Sequence, residues 1–235
     1  MGLSTLKQGT LAIAASDFDA RPMTYVDGEQ RLGYEPDLAR LVCDRLGLTP
    51  VWTNLPMEDF YPEMQAGHFD VVWFNQANTP ERQAWVDFSR PYGLFDEAVL
   101  VKSDRAIASP ADLVGLKVGG LADSTNIALA ATFPDVILVP FPGSDQVLPE
   151  MLAALRAGEI DALIDDELVL VVAAEDDPTL KIAFSLPTQA RFSIGVRKGN
   201  LELRDAIDQV LEDLIADGTL SHLWDTWIPW KPFPF

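Results

Sequence analysis

Short apolar runs alternate along this chain with segments in which apolar residues recur every three or four positions. The short runs are typical of buried strands, and the longer spacing is typical of amphipathic helices. The predicted strands cover residues 10–15, 50–54, 69–75, 116–120 and 161–164, and the predicted helices cover residues 35–47, 58–67, 167–174 and 201–217, with one more starting near Asn126. This order of elements predicts an α/β fold with parallel strands.

Two local patterns add detail to the α/β prediction. Residues 24–34 are predicted to form a hairpin around Asp27 and Gly28, a common two-residue turn. A weak internal repeat relates residues 61–71 to residues 155–162, because each has a helix, an Ala-Gly stop, a spacer, a hydrophobic residue and Asp before a buried strand. The repeat predicts two similar α/β lobes, although helix, glycine and strand follow one another in many α/β proteins.

The composition is that of a globular protein with a large excess of acids. A chain of 235 residues is long enough for one large domain or two lobes of about 100 residues each. Its net charge of −19 argues against binding to nucleic acid or to anionic lipid, which both need a basic surface. No apolar run approaches the roughly 20 residues of a membrane span, and the N-terminus lacks the pattern of a signal peptide. The start at Met1-Gly2 fits either a mature secreted protein or a cytosolic one.

The single cysteine, Cys43, excludes an internal disulfide. It lies beside Val42 in the helix predicted at residues 35–47, and we expect it at the core edge of that helix. A nucleophilic role needs a nearby histidine, and the only two are His68, in a helix-to-strand turn, and His222, near the C-terminus. We therefore predict no catalytic residue, and the sequence indicates no metal site and no cofactor.

Arg82 stands where helix physics disfavours a basic residue. Thr79 is a good N-cap and Pro80 suits the first helical position, so that Arg82 falls in the first turn. The helix macrodipole favours acids there. A cation in this place makes most sense if it faces an anion that the protein binds. The alternatives are a solvated arginine and an ion pair with Glu81 or Asp87.

One stretch resembles a known family motif: T-P-E-R at positions 79–82, followed by V-D-F-S-R-P-Y at 86–92. It is similar to the periplasmic amino-acid-binding proteins of ABC importers, the family 3 solute-binding proteins. Further segments resemble that family in its own order, namely P-M-T-Y at 22–25, G-Y-E-P-D-L-A at 33–39, M-Q-A-G-H-F-D-V at 64–71, A-D-L-V-G-L-K-V-G at 111–119, A-G-E-I-D-A at 157–162 and D-G-T at 217–219. Because the resemblance covers nearly the whole chain, it is specific for fold and general role and much less so for the ligand.

The resemblance implies a two-lobed, type II periplasmic-binding-protein fold. Lobe 1 would comprise residues 1–94 and 191–235, and lobe 2 residues 95–190, with hinge crossings in the extended runs 95–101 and 189–196. It further implies a monomer, periplasmic or extracellular and membrane-anchored, that captures a small polar ligand by hinge closure and delivers it to an ABC permease in the membrane. The aromatic tail at 224–235 is expected to pack against lobe 1, the alternative being a membrane-interface or partner contact.

The predicted ligand site draws on loops that follow strand carboxyl ends, where α/β sheets usually bind ligands. A helix N-terminus at Ser124 and Thr125 and the guanidinium of Arg82 suit a carboxylate. Asp166, with help from Asp17, suits an ammonium group. In the family, residues matching Arg82, Ser124 and Thr125 hold the ligand α-carboxylate, and the one matching Asp166 holds the α-ammonium. The complete predicted set is Asp17, Asn75, Ala77, Arg82, Ser124, Thr125 and Asp166.

These assignments have simpler structural alternatives. Ser124 would be only an N-cap, Asp165 or Asp166 would cap the helix starting at Glu167, and Asp17 would be only a turn acid. The other function classes left open are an enzyme resembling cyclohexadienyl dehydratases, on the same fold, and a ligand-sensing orphan module.

The chain also departs from the family pattern. Ala77 lacks the side-chain hydroxyl expected before the arginine, and Asp123 replaces a glycine beside the predicted carboxylate site. Ala20 and Met57 stand where relatives often place aromatic residues that stack on the ligand. We therefore expect a reshaped pocket. Four acids set against Arg82 alone predict a ligand of net charge zero or positive; they are Asp17, Asp123, Asp165 and Asp166.

Overall fold

The computed structural model describes residues 3–235, so that Met1 and Gly2, and the interpretation of the chain start, lie outside the described residues. The chain divides into two compact units. Unit 1 contains the chain up to Asp17 together with Pro22–Leu94 and Ala190–Phe235, and unit 2 contains Phe18–Arg21 and Phe95–Gln189. These units differ from the predicted lobes at Ala190 and at Phe18–Arg21, and the hinge positions stay a prediction.

The predicted helices and strands appear in the predicted order, together with a strand at Ile137–Phe141 and a helix at Thr219–Trp227, which the hydrophobic pattern did not predict. In chain order they are β1 (Thr10–Ala15), β2 (Tyr25–Asp27), β3 (Gln30–Leu32), α1 (Tyr34–Leu46), β4 (Thr49–Asn54), α2 (Phe60–Ala66), β5 (Val71–Val72), α3 (Pro80–Gln83), β6 (Val86–Lys102), β7 (Lys117–Leu121), α4 (Thr125–Ala130), β8 (Ile137–Phe141), α5 (Val147–Ala157), β9 (Ala162–Asp166), α6 (Glu167–Asp176), β10 (Leu180–Arg197), α7 (Leu201–Ala216) and α8 (Thr219–Trp227). Short 3-10 helices lie at Met57–Asp59 and Pro110–Leu113. The strand predicted at 69–75 is shorter than expected, since β5 covers only Val71–Val72; beyond it, Asn75 has a left-handed backbone with φ of 48°.

Unit 1 is built on parallel strands with β1 in the middle. β1 pairs with β4 along its whole length, from Thr10 opposite Thr49 to Ala15 opposite Asn54, and with β5 on its other side. β10 then runs antiparallel to β5. Because the carboxyl ends of parallel strands meet at one edge, the residues after β1, β4 and β5 lie at the same edge of this sheet.

The hairpin prediction is wrong by one residue. Asp27 pairs with Gln30, so that the two turn residues are Gly28 and Glu29 instead of Asp27 and Gly28. Gly28 has φ of 61° at the first turn position, where a left-handed backbone suits glycine. The predicted core position of Cys43 is confirmed, since the residue is fully buried and burial raises the pKa of its thiol to about 12.

The aromatic tail packs against unit 1, as predicted. Trp224 is fully buried and meets the ring of Tyr34 edge-on at 5.3 Å, and its Nε1 donates to the Lys231 carbonyl at 2.7 Å. Trp227 donates to Asp37 Oδ2 at 2.9 Å. Within residues 3–235, no helix is both long enough and apolar enough to cross a membrane.

Unit 2 is built around β9. This strand pairs antiparallel with β6, from Glu97 opposite Asp166 to Val101 opposite Ala162, and parallel with β7, which pairs in turn with β8. Apolar residues of β6, β7 and β9 form the core of this unit, among them Val99, Val118 and Ile164. Helices α4 and α6 start shortly after the carboxyl ends of β7 and β9, which places Ser124, Thr125 and Asp166 at that edge.

Candidate functional site

Arg82 lies in unit 1, in the first turn of α3, as predicted. Thr79 Oγ1 accepts a hydrogen bond from the Arg82 amide at 3.3 Å, and Pro80 opens the helix. The side chain is half-buried, with Nη1 donating to the Ala77 carbonyl at 3.2 Å and the guanidinium 5.7 Å from the centre of the Tyr61 ring. These contacts hold the guanidinium in place without neutralising its charge.

Neither acid considered as an alternative partner pairs with Arg82. Asp87 forms an ion pair with Lys198 at 2.8 Å and accepts the Gly199 amide at 2.7 Å, and Glu81 is exposed. Among residues 3–235, no carboxylate forms an ion pair with the Arg82 guanidinium. Since a guanidinium carries five donors and only one is used by the Ala77 carbonyl, Arg82 can offer a two-point contact to an anion.

The loop before α3 is fixed by its backbone and leaves one side-chain acceptor unused. The Asn75 amide donates to Glu35 Oε1 at 2.9 Å, and Gln76 Oε1 accepts from the Tyr61 hydroxyl at 2.6 Å. Ala77 is held by a β-bridge to a residue of β10. Asn75 Oδ1 is buried and meets no hydrogen-bond partner among the described residues. In this loop Ala77 therefore contributes its backbone, and Asn75 can contribute its amide side chain.

Glu35 is a buried acid behind this loop. It is 1% exposed, and its Oε1 accepts from both the Asn75 amide and the Tyr92 hydroxyl. Its Oε2 is buried without a hydrogen-bond partner among residues 3–235. Burial raises the pKa of Glu35 from 4.5 to about 7, and the two hydrogen bonds and the charge of Arg31 only partly oppose this. Glu35 thus holds the loop geometry and carries a proton over part of the neutral range.

Asp17 lies at the same sheet edge and is not an isolated charge. It accepts from Asn54 Nδ2 at 2.9 Å. Arg31 is 7% exposed, donates to the Ser16 carbonyl at 2.5 Å and to Asn54 Oδ1, and lies 5.0 Å from the Trp52 ring centre. Burial lowers the pKa of Arg31, and the charge of Asp17 opposes that effect. The predicted ligand charge rested on counting four acids against Arg82 alone. That count omitted Arg31, whose positive charge offsets the negative charge of Asp17.

Ser124 and Thr125 begin α4 in unit 2. Ser124 Oγ accepts from the Ile127 amide at 3.2 Å and donates to the Leu121 carbonyl at 2.6 Å, so that its hydroxyl acts as the N-cap. Thr125 Oγ1 donates to Asn126 Oδ1 at 3.2 Å. α4 has only six residues, and the dipole of so short a helix contributes little to anion binding.

Asp166 closes β9 and precedes α6 without capping it. It is 9% exposed, and its carboxylate makes no capping hydrogen bond to α6. Instead its Oδ1 accepts from Asn126 Nδ2 at 3.3 Å, and the same amide nitrogen lies 3.2 Å from Asp165 Oδ1. Asp165 Oδ1 also accepts the Asp166 backbone amide at 2.8 Å. The capping alternative therefore does not explain Asp166.

Glu97 adds a third acid to this edge of unit 2. It lies in β6 directly opposite Asp166 and is 1% exposed. Burial, followed by the charge of Asp165, raises the pKa of Glu97 from 4.5 to about 8. Burial also raises the pKa of Asp165 from 3.8 to about 6, against the hydrogen bond from the Asp166 amide. These two acids titrate as an interacting pair.

Each unit brings part of the predicted set together. In unit 1, Arg82 contacts Ala77 directly and follows Asn75 in the same loop, whereas Asp17 is bonded to Asn54. In unit 2, Asn126 links Thr125 to Asp166, and Ser124 is the adjacent cap.

Sequence reasoning assigned no role to four polar residues that organise these edges: Arg31, Glu35, Glu97 and Asn126. Glu35 and Glu97 had a visible signal, because each acid stands directly beside apolar residues of its segment, Tyr34 and Pro36 around Glu35 and Ala98 and Val99 after Glu97. Arg31 and Asn126 had none, since a hairpin arginine and a helix-start asparagine are ordinary surface residues in most proteins.

Known proteins resemble this chain over most of its length. It is 28% identical over 211 residues to a membrane-bound lytic murein transglycosylase F from Desulfosudis oleivorans; the match takes in 86% of this chain but spans only 45% of that protein. It is 25% identical over 221 residues to the putative ABC transporter arginine-binding protein 2 of Escherichia coli, a match that covers 91% of this chain and 88% of that protein.

Solved structures of amino-acid-binding proteins are also similar to this chain over most of its length. An ancestral arginine-binding protein bound to arginine superposes with a TM-score of 0.86 at 29% identity, covering 94% of this chain and 99% of that one. The α/β architecture is therefore that of the type II periplasmic-binding proteins. The family model for bacterial extracellular solute-binding proteins, family 3, matches residues 12–229. This chain accordingly belongs to family 3 of the bacterial extracellular solute-binding proteins.

Proposed function

We propose that this protein captures an amino acid, or a close derivative, and delivers it to the permease of an ABC importer. The observation that carries the proposal is Arg82, a half-buried guanidinium held by Ala77 and Tyr61, which pairs with no carboxylate among residues 3–235. A fixed cation of this kind suits a ligand carboxylate. The relatives named as arginine-binding proteins support the same ligand class.

The predicted residues take separate roles in the two units. In unit 1, Arg82 binds the ligand carboxylate, and Asn75 and the Ala77 backbone supply further polar contacts, with Asp17 at the edge. In unit 2, Asp166 receives the α-ammonium, and Ser124 and Thr125 bind the carboxylate by hydrogen bonding and not through the dipole of the short helix α4. Each ligand charge then has an opposite charge in the protein, which limits the cost of removing it from water.

The proposal also covers where the protein works and its oligomeric state. The protein works as a monomer outside the cytoplasm, in the periplasm or tethered to the outer face of a membrane, as expected for a family of extracellular solute-binding proteins. Its ligand carries a net charge of zero or above. The support for this is the acid-rich edge of unit 2, where Asp165, Asp166 and Glu97 lie close together.

Calorimetry of an Arg82→Ala variant tests the proposed site. A thermal-shift panel of the twenty amino acids first identifies the compound that stabilises the wild type most. Removing one partner of a buried ion pair costs about 3–5 kcal/mol, so we expect the affinity for that compound to fall more than about a hundredfold. Arg204→Ala is the matched control, since Arg204 is in the same unit and pairs with Asp205 on α7.

Three results would count against the proposal. Unchanged affinity in Arg82→Ala removes Arg82 from the site, and the strongest stabilisation by glutamate or aspartate contradicts the proposed ligand charge. Heat that continues after saturation would indicate turnover of the bound compound, and would favour an enzyme over a binding protein.

A further inference from the structure

Glu97 is an acid that the proposed clamp does not use. In an antiparallel pair, residues directly opposite each other project from the same face of the sheet, and Glu97 lies opposite Asp166. Its Oε2 is buried and has no hydrogen-bond partner among residues 3–235. In the same described range, no lysine or arginine forms an ion pair with Glu97 or Asp165. A buried acid of this kind, with no cation beside it, is costly to keep ionised.

The amide of Asn126 bridges Asp165 and Asp166 at the proposed ammonium site. Asn126 is 6% exposed, and its Nδ2 lies 3.2 Å from Asp165 Oδ1 and 3.3 Å from Asp166 Oδ1. Thr125, the preceding residue, donates to Asn126 Oδ1 at 3.2 Å, and its hydroxyl lowers the pKa of Glu97. The three carboxyl groups therefore belong to one polar cluster in unit 2.

The neighbours of Glu97 keep a proton in this cluster near neutral pH. Burial raises the pKa of Glu97 most. The charge of Asp165 on β9 raises it further, the Thr125 hydroxyl of α4 lowers it, and the charge of Asp96 on β6 raises it slightly. Burial raises the pKa of both acids, and the charge of Asp165 further raises that of Glu97, so that the pair shares a proton near neutral pH.

We propose that Glu97 and Asp165 form a specificity site for a second positive group of the ligand, an ammonium or guanidinium, whose arrival displaces the proton from Glu97. The O–H bond of Glu97 breaks, the proton passes to solvent, and the two carboxylates then share the ligand cation. This inference rests on the proposed function and adds the ligand class, an amino acid with a basic side chain.

Proton displacement has a measurable consequence. If the bound cation lowers the pKa of Glu97 below the working pH, binding at pH 7 releases close to one proton for each ligand, that is about 0.8 or more. Affinity then rises with pH between about 6 and about 8, by up to about tenfold per pH unit, and levels off once Glu97 is ionised in the free protein. A ligand with a neutral side chain shows neither effect.

Calorimetry with L-arginine and L-citrulline tests the inference, because the two probes have nearly the same shape and differ in side-chain charge. Each is titrated into the protein at pH 7 in phosphate and in Tris, whose ionisation heats differ. We expect proton release with L-arginine and none with L-citrulline. Glu97→Gln should bind L-arginine with no proton release. Glu159→Gln, an exposed glutamate of the same unit, should behave like the wild type.

The outcomes separate this inference from the proposed function. L-Arginine binding without proton release overturns it, and so does full release from Glu97→Gln, which would place the proton elsewhere. Binding of L-citrulline but not L-arginine overturns it while leaving an amino-acid-binding protein. Failure of every amino acid in the panel to bind refutes both. If Glu97→Gln does not fold, Asp165→Asn takes its place, and it should weaken L-arginine at least tenfold more than L-citrulline.

Discussion

Replacing Glu35 with glutamine should change how the stability of unit 1 depends on pH. Glu35 Oε1 accepts from the Asn75 amide and the Tyr92 hydroxyl, and Oε2 has no hydrogen-bond partner among residues 3–235. Glutamine keeps the shape and an Oε1 acceptor for both donors, but it cannot ionise. The substitution therefore removes the titration of this group with little change in packing.

The magnitude follows from the pKa of Glu35, which burial raises from 4.5 to about 7. Because the folded state holds this proton more tightly than the unfolded state, wild-type stability falls as pH rises through that interval. Between pH 5 and pH 8, the loss attributable to Glu35 is about 2.5 kcal/mol. Below about pH 4 both states are protonated, and the group contributes no pH dependence.

Tryptophan fluorescence during urea unfolding is a suitable assay, because all six tryptophans lie in unit 1. The free energy of unfolding is measured at pH 5 and pH 8 for the wild type and for Glu35→Gln. The quantity of interest is the difference between the two pH-dependent changes, since any cost of burying the glutamine NH₂ group is the same at both pH values and cancels. Other titrating acids also cancel, because both proteins contain them.

The expected result is a pH-dependent loss that is smaller by about 2.5 kcal/mol in Glu35→Gln than in the wild type. Glu29→Gln, at an exposed hairpin turn, is the matched control and should follow the wild type. Equal pH dependence in wild type and Glu35→Gln would refute the assignment of a raised pKa to Glu35. A steeper pH dependence in the variant would mean that folding lowers the pKa of Glu35 instead of raising it.

Two further substitutions test the site and the backbone. Asp166→Asn should weaken an amino acid at least about tenfold more than its des-amino analogue, since it removes the charge opposite an ammonium; equal losses by calorimetry would exclude that role. Gly33→Ala should destabilise unit 1 by at least about 2 kcal/mol in urea unfolding. The reason is that Gly33 has φ of 122° and a Cβ there would lie 2.4 Å from the Met23 carbonyl oxygen. Gly28→Ala, with open space around a Cβ, should cost less, and an equal cost would contradict the steric argument.

The sequence by itself determined most of the elements and their order, β8 and α8 excepted. Local signals suffice where the physical cause is local: α1 ends at Gly47, which has φ of 67°, and α3 begins with the Thr79 cap and Pro80. Hydrophobic spacing likewise predicted α7 and the burial of Cys43. The Arg82 argument also began from local physics, because a base in the first turn of a helix is unusual wherever the helix lies.

Only the tertiary structure decided which polar groups face each other. The side chain of Asn54 joins Asp17 to Arg31, whose charges are opposite. Asn54 is far from both residues in sequence, so no pattern in the chain predicts the contact. The strand predicted at 69–75 ends at Val72, and beyond it the Asn75 amide donates to Glu35, a residue remote in sequence. Glu97 comes to lie opposite Asp166, next to Asp165, only through the register of β6 with β9. Electrostatic interactions and burial depend on distances between residues remote in the chain, and folding alone sets those distances.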